Sequence, residues 1–228
     1  MVLTALSLIG EPMQMMAFII AFLSALFISM PFHEFAHAHA AYKEGDHTAK
    51  ALKRYTLAPF AHIDTVGLLM LLFFGFGFAK PVPVDSRNFK RGRKSELRVA
   101  FAGVLVNLLI GTIACFIYCL LNKVWPQFFT DFGFFSELYG MFFVYVIYLN
   151  FMFAFFNLLP IYPLDGYRAL SAMSKPNNKF LEFMRRYSTW IFLIFLIFNV
   201  FDIYLNFFAW GLVEILELGF NAFFNLFG

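Results

Sequence analysis

The strongest constraint on the fold is a series of apolar stretches, several about twenty residues long or longer, separated by short polar segments. Lipid offers the backbone no hydrogen-bond partner, so such a stretch is stable in a bilayer only as a helix that satisfies its own amides. Charged residues are only 14% of the chain, against about a quarter in a soluble domain. The expected fold is therefore an all-α polytopic membrane protein, with residues 1–228 forming a single transmembrane domain. The net charge of +3 lends no support to nucleic-acid binding. Cys115 and Cys119 lie in an apolar helix, where they are expected to serve as small apolar side chains. The first ten residues lack the Lys or Arg of a signal-peptide n-region, so no cleaved segment is expected and the mature chain should start at Met1.

About four spanning helices are expected. The first runs from Met13 to about Tyr42, after Pro12 in its first turn. Arg54-Tyr55-Thr56-Leu57 before Pro59 reads as a short extended strand or hairpin arm associated with the membrane, and Arg54 to Ala58 and Lys80 to Val84 are candidate edges for holding an extended substrate, with ordinary interfacial loops as the preferred alternative. Val66 to Ala79 is apolar but too short to span, and reads as a re-entrant or interfacial segment. Between Lys80 and Leu97 lie six basic and two acidic residues, marking a cytoplasmic loop by the positive-inside rule. Arg98–Asn122 and Leu138–Pro163 then cross outward and back, Leu164–Tyr187 is again basic, and Ser188 to about Trp210 makes the fourth crossing. Glu214, Glu217, Asn221 and Asn225 form a polar stripe, so Gly211–Gly228 is expected on the outer surface, the alternative being a further spanning helix with Glu214 and Glu217 facing a partner. Asn199, Asp202 and Asn206 form another stripe, expected to face neighbouring helices.

Within the first helix stands His33-Glu34-Phe35-Ala36-His37, whose spacing of four stacks two imidazoles on one face. The pair suits zinc, and the adjacent Glu34 suits a general base acting on a metal-activated water. Such groups in a bilayer cost several kcal/mol unless paired or metal-bound, so their membrane setting sharpens the motif. A catalytic zinc site needs a third protein ligand. Asp165 is the best candidate: Pro160 and Pro163 break the helix before it and Gly166 frees the backbone after it. The two helices concerned are expected to run parallel, with both ligand sets near the cytoplasmic face. His39 points away from the histidine pair by roughly 200° of helix, which argues against a ligand role. Pro31 leaves the Phe27 carbonyl without its helical partner and could open a polar pocket beside His33, or simply bend the helix.

The segments HEFAHAHAAYKEGD, TLAPFAHID, GFGFAKPVPVDSRNFK, AGVLVN and NLLPIYPLDG together resemble the site-2 protease family of intramembrane metalloproteases, in its short form without PDZ or CBS domains. The resemblance covers Pro31 to about Leu170. It implies one Zn2+ per chain held by His33, His37 and Asp165, with Glu34 as catalytic base, in a three-helix core carrying His33, Asn107 and Asp165. It places Asn107 and Asn157 near the substrate or the metal, although intramembrane asparagines equally often join helices. His62 matches a recurrent histidine of the family, with an interfacial hydrogen-bonding role expected before a metal-binding one. This chain has Val104 where related sequences usually have proline after Ala102-Gly103, and His47 and Thr65 where proline is common. The implied activity is hydrolysis of transmembrane protein or peptide substrates near the cytoplasmic side of the cell membrane. Competing readings are a membrane zinc transporter, in which Glu34 would have no task, and an inactive scaffold that binds transmembrane segments.

Overall fold

The computed structural model describes residues 10–74, 77, 79–175 and 177–227. Among the described residues, four helices are long and apolar enough to cross a membrane: α1 (Pro12–Lys43) and three that come after the loop region beyond it. Short helices α2 (Thr48–Ala51), α3 (Pro59–His62) and α4 (Thr65–Phe74) come next. The second span is α5 (Arg93–Val124) and the third is α6 (Phe134–Asn157). After α6 come α7 (Asp165–Met173), α8 (Lys179–Arg186) and α9 (Ser188–Ile197), and the last span is α10 (Val200–Phe227).

Helices α1, α5 and α6 pack mutually and α10 lies against α5 and α6. Side-chain pairs fix the directions. Asn150 Nδ2 on α6 donates to Ser29 Oγ on α1 at 2.8 Å, and Phe18 packs edge-on against Tyr145, so α1 and α6 run parallel as expected. Glu44, just past the end of α1, accepts from Arg98 near the start of α5 at 2.7 Å, so those two run antiparallel. The shared core includes Phe22, Leu26, Cys115, Cys119, Ile147 and Phe151. Both cysteines are buried and free, in keeping with an apolar role. Gly111 lets α5 approach α6 closely, since a Cβ there would lie 2.5 Å from the Phe151 ring.

Three expectations are corrected. No β-strand exists among the described residues; the only pairing there is an isolated antiparallel bridge between Ile63 and Ala79. Arg54 to Ala58 and Lys80 to Val84 are irregular loop segments without ladder partners. Pro81 and Pro83 lack N–H groups, the Lys80 N–H goes to the His62 carbonyl, and the Val82 N–H goes to a side chain. The fourth span is Val200–Leu226, shifted along the chain from Ser188–Trp210, because α9 stops at Ile197 and Asn199 takes a positive φ of 52°. Residues 211–227 consequently continue α10 and do not form a separate surface helix. Phe220 and Phe224 pack on Phe116, and Lys123 Nζ donates to Asn225 Oδ1 at 2.9 Å.

Of the segment expected to be re-entrant or interfacial, 66–74 belongs to α4, while residues 75, 76 and 78 lie outside the described set. In the Asn199–Asn206 stripe, Asn206 accepts from the Tyr148 hydroxyl of α6 at 2.9 Å, a helix-packing contact.

Candidate metal centre

Helix α1 continues through the buried Pro31 and presents His33 and His37 one turn apart near its C-terminal end. The chain that could complete the site arrives from α6, which ends at Asn157; the Pro160–Pro163 segment breaks the helix before α7 restarts at Asp165. Gly166 is obligatory in that turn, because a Cβ would collide with the backbone carbonyls of Leu158 and Leu159. Asp165 is thereby brought to the imidazole pair from 128 residues further along the chain than His37.

Asp165 Oδ2 lies 3.2 Å from His33 Nε2 and 3.0 Å from His37 Nε2, and the two Nε2 atoms are 3.0 Å apart. All three residues are buried, with exposures of 7%, 5% and 6% for His33, His37 and Asp165. The outer faces of both rings are occupied. His33 Nδ1 meets Asn107 Oδ1 at 3.1 Å, and His37 Nδ1 meets the Val99 carbonyl at 2.8 Å. Both partners are acceptors, so each Nδ1 carries the proton and each Nε2 turns a lone pair inward.

Two imidazole lone pairs and a carboxylate oxygen thus converge, and Asp165 Oδ2 has no hydrogen-bond donor among the described residues. Three acceptors aimed at one point repel unless a cation lies between them. Tetrahedral zinc with bonds of about 2.0–2.1 Å separates its ligand atoms by about 3.3 Å, so the observed separations fit such an ion. The donor set, two imidazoles and a carboxylate, is geometrically consistent with a mononuclear zinc site.

Gly103 on α5 faces the rings directly: a Cβ there would lie 2.5 Å from both His33 Cε1 and His37 Nε2. Val99, Gly103 and Asn107 are spaced by four and form the face of α5 that meets the histidines. Glu34 is buried beside them, and its Oε2 accepts the Val82 backbone N–H at 2.8 Å. Sequence reasoning missed Gly103, the Val99 carbonyl and the Val82 amide. The first had a signal, since Gly103 and Gly111 share a face with Asn107, the small-residue pattern of close helix approach. The other two are backbone groups, which side-chain motifs cannot reveal.

Asn157 donates to the Phe153 carbonyl of its own helix at 3.0 Å. His62 is fully buried, with Nε2 bonded to the Thr56 carbonyl at 2.7 Å. Neither makes a hydrogen bond to the three-residue cluster. His39 bonds Tyr55 at 2.8 Å on the opposite side of α1.

Below the cluster, toward the basic loops, Asp46 and Glu44 tie the end of α1 to α2, the 85–88 turn and α5. Asp46 Oδ1 accepts from the Thr48 amide and hydroxyl and from Asn88, and Oδ2 accepts from the Asp85 amide. Burial pushes its carboxyl up, but these donors more than offset that and hold it below the usual range. Glu44 is likewise held low, by Ser95 first and then Arg98.

Comparison with known proteins agrees with this geometry. A protein of Bacillus subtilis (strain 168) named "Putative zinc metalloprotease YwhC" is 34% identical over 165 residues, which cover 72% of this chain and 73% of that protein. No solved structure matches. The family description Peptidase family M50 matches residues 21–199, a region that contains both histidines, Glu34 and Asp165, and the chain therefore belongs to that family of metalloprotease-like membrane proteins.

Proposed function

We propose that this protein is an intramembrane zinc metalloendopeptidase that hydrolyses peptide bonds of transmembrane proteins or peptides near the cytoplasmic face of the cell membrane. The observation that carries the reading is the convergence of His33, His37 and Asp165 on one point, with Glu34 buried beside it. One zinc ion per chain, held by those three residues, would polarise the scissile carbonyl and lower the pKa of a water molecule. Glu34 then takes the water's proton and returns it to the departing amine nitrogen. Asn107 and the Val99 carbonyl keep both imidazoles in the tautomer that points Nε2 inward. His62 holds the 54–62 loop through Thr56, and Asn157 closes the last turn of α6; neither needs to touch substrate.

Water supply favours this location. The cluster sits near the end of α1, adjacent to Glu44, Arg98 and the basic loop residues, where a spanning helix leaves the bilayer. Basic residues concentrated in 80–97 and 164–187 support a cytoplasmic assignment of that end.

The test separates chemistry from metal binding. Glu34→Gln is expected to retain about one zinc per chain by atomic emission and to lose cleavage of a transmembrane peptide that wild type cuts. Undiminished cleavage by that variant would remove Glu34 from the mechanism. Asp165→Ala, by contrast, is expected to lose the metal.

A further inference from the structure

A general base works only if its carboxylate is aimed, and Glu34 is aimed by a group outside the metal-binding motif. The segment Lys80–Asp85 lies across Glu34 as an irregular strap. Its backbone is fastened at successive points: the Lys80 N–H to the His62 carbonyl at 2.9 Å, the Lys80 carbonyl to Arg54 Nη2 at 2.7 Å, and the Asp85 N–H to Asp46 Oδ2 at 2.8 Å. Arg54 Nη2 also reaches the Pro81 carbonyl at 3.4 Å. Between these anchors the buried Val82 directs its N–H at Glu34 Oε2 over 2.8 Å, while its side chain packs with Ala38, Ala49 and Tyr55.

Pro81 and Pro83 flank this amide and cannot donate, so Val82 offers the carboxylate a lone N–H between two prolines with restricted φ. Ala38 sits one turn beyond Glu34 on α1, so the Val82 side chain packs on the helix that carries the carboxylate it binds.

We propose that the Val82 backbone N–H is a positioning group for catalysis: it pins one oxygen of Glu34 so that the other is presented to the attacking water, and Arg54 holds the strap in the register that makes this possible. The inference rests on Glu34 being the general base. A hydrogen bond to a charged acceptor that is pre-formed on a braced strap removes a rotameric search from the reacting state, and its loss lowers turnover rather than substrate affinity.

The experiment uses the full chain, zinc-loaded, in detergent or nanodiscs, and the transmembrane peptide that wild type cleaves fastest from a panel. Val82 is replaced by α-hydroxyisovaleric acid, which exchanges the N–H for an ester oxygen and keeps the side chain. The expected result is a fall in kcat of about tenfold or more, KM within about twofold and zinc still at one per chain. The same ester at Val84, two residues along the strap, is expected to leave kcat within about twofold. Arg54→Ala, accessible without unnatural residues, should lower kcat in the same sense with the metal retained.

An unchanged kcat in the Val82 ester overturns the proposal. So does a raised kcat, which would make the strap an inhibitory clasp, and so does zinc loss or a change confined to KM, which would make it a structural loop. Glu34→Gln assayed alongside keeps the two ideas distinct. If that variant still cleaves, the general-base reading has failed; if it is inactive while the Val82 ester is normal, only the positioning role has.

Discussion

Replacing Gly103 with alanine sets helix physics against site geometry. Alanine is favoured over glycine by about 1 kcal/mol in a helix interior, so on propensity alone the change would strengthen α5. The added methyl would instead lie 2.5 Å from His33 Cε1 and His37 Nε2 and 2.7 Å from His33 Nδ1. An ordinary contact needs about 3.5 Å, so rings or helix must move by about 1 Å. The rings cannot retreat freely, because hydrogen bonds to Asn107 and the Val99 carbonyl, on the same face of α5, tie them to that helix at 3.1 and 2.8 Å. Zinc sites tolerate deviations of only about 0.2 Å in ligand distance, several times less than the displacement required. Gly103→Ala should therefore keep its helical circular dichroism and membrane insertion. Its zinc affinity should fall by at least about tenfold, the scale at which disturbed ligand support is felt, and peptide cleavage should fall with it. Zinc content measured after competition with a graded chelator series, alongside cleavage of the wild-type peptide substrate, gives the readout. A variant that binds zinc and cleaves within twofold of wild type would show that the approach of α5 to the histidines does not constrain the metal centre.

Two further outcomes arise from neighbouring contacts. Asn107→Leu removes the acceptor that fixes the His33 Nδ1 proton, and zinc affinity by chelator competition should drop about 10- to 100-fold; an unchanged affinity would discount the tautomer argument. Asp46 has a folded-state pKa below its unfolded value, so its contribution to stability is fully present above about pH 4 and is lost as pH falls through the depressed value. Asp46→Asn should thus lower Tm at pH 7, and the gap from wild type should close on acidification below about pH 4; a gap that stays constant across that range would contradict the assignment.

The parts of the structure that were legible in the sequence are those in which side-chain chemistry or hydrophobic length decides the outcome. The His33–His37 spacing, the proline-broken approach to Asp165 and the parallel course of α1 and α6 all belong to this class. The strand expectation failed because an extended-looking sequence says nothing about where its amides go. At Lys80–Val84 two prolines cannot donate and the Val82 amide is taken by the Glu34 side chain, which leaves too few amides for a ladder. The fourth span was misplaced for a different reason. Ser188–Ile197 and Val200–Leu226 form almost one apolar run, and the positive φ at Asn199 that separates them is marked in the sequence only by isolated polar residues, Asn199 and Asp202. The polar stripe at Glu214, Glu217, Asn221 and Asn225 then resembled a surface-lying helix, although Asn225 is met by Lys123 of α5 and the adjoining aromatic face is packed on Phe116.

The site as a whole depends on a helix that contributes no candidate ligand. α5 offers a carbonyl at Val99, an absent side chain at Gly103 and an amide oxygen at Asn107, each one turn from the next along one face. The carbonyl and the amide orient the two imidazoles, and the glycine sets how near they stand. Because α5 runs antiparallel to α1, the Val99 carbonyl meets His37, and Asn107, two turns further along α5, meets His33, one turn back along α1. The two acceptors thus bracket the imidazole pair, with Gly103 between them. A slide of α5 by one residue, about 1.5 Å, would pull both acceptors off the imidazoles and move Gly103 away from the rings it clears. The Glu44 contacts with Ser95 and Arg98, one turn and more beyond the site, oppose that slide. Motif reading identifies the atoms that could grip a metal, but the distance between them is set by helix register, which is encoded in residues that carry no metal chemistry.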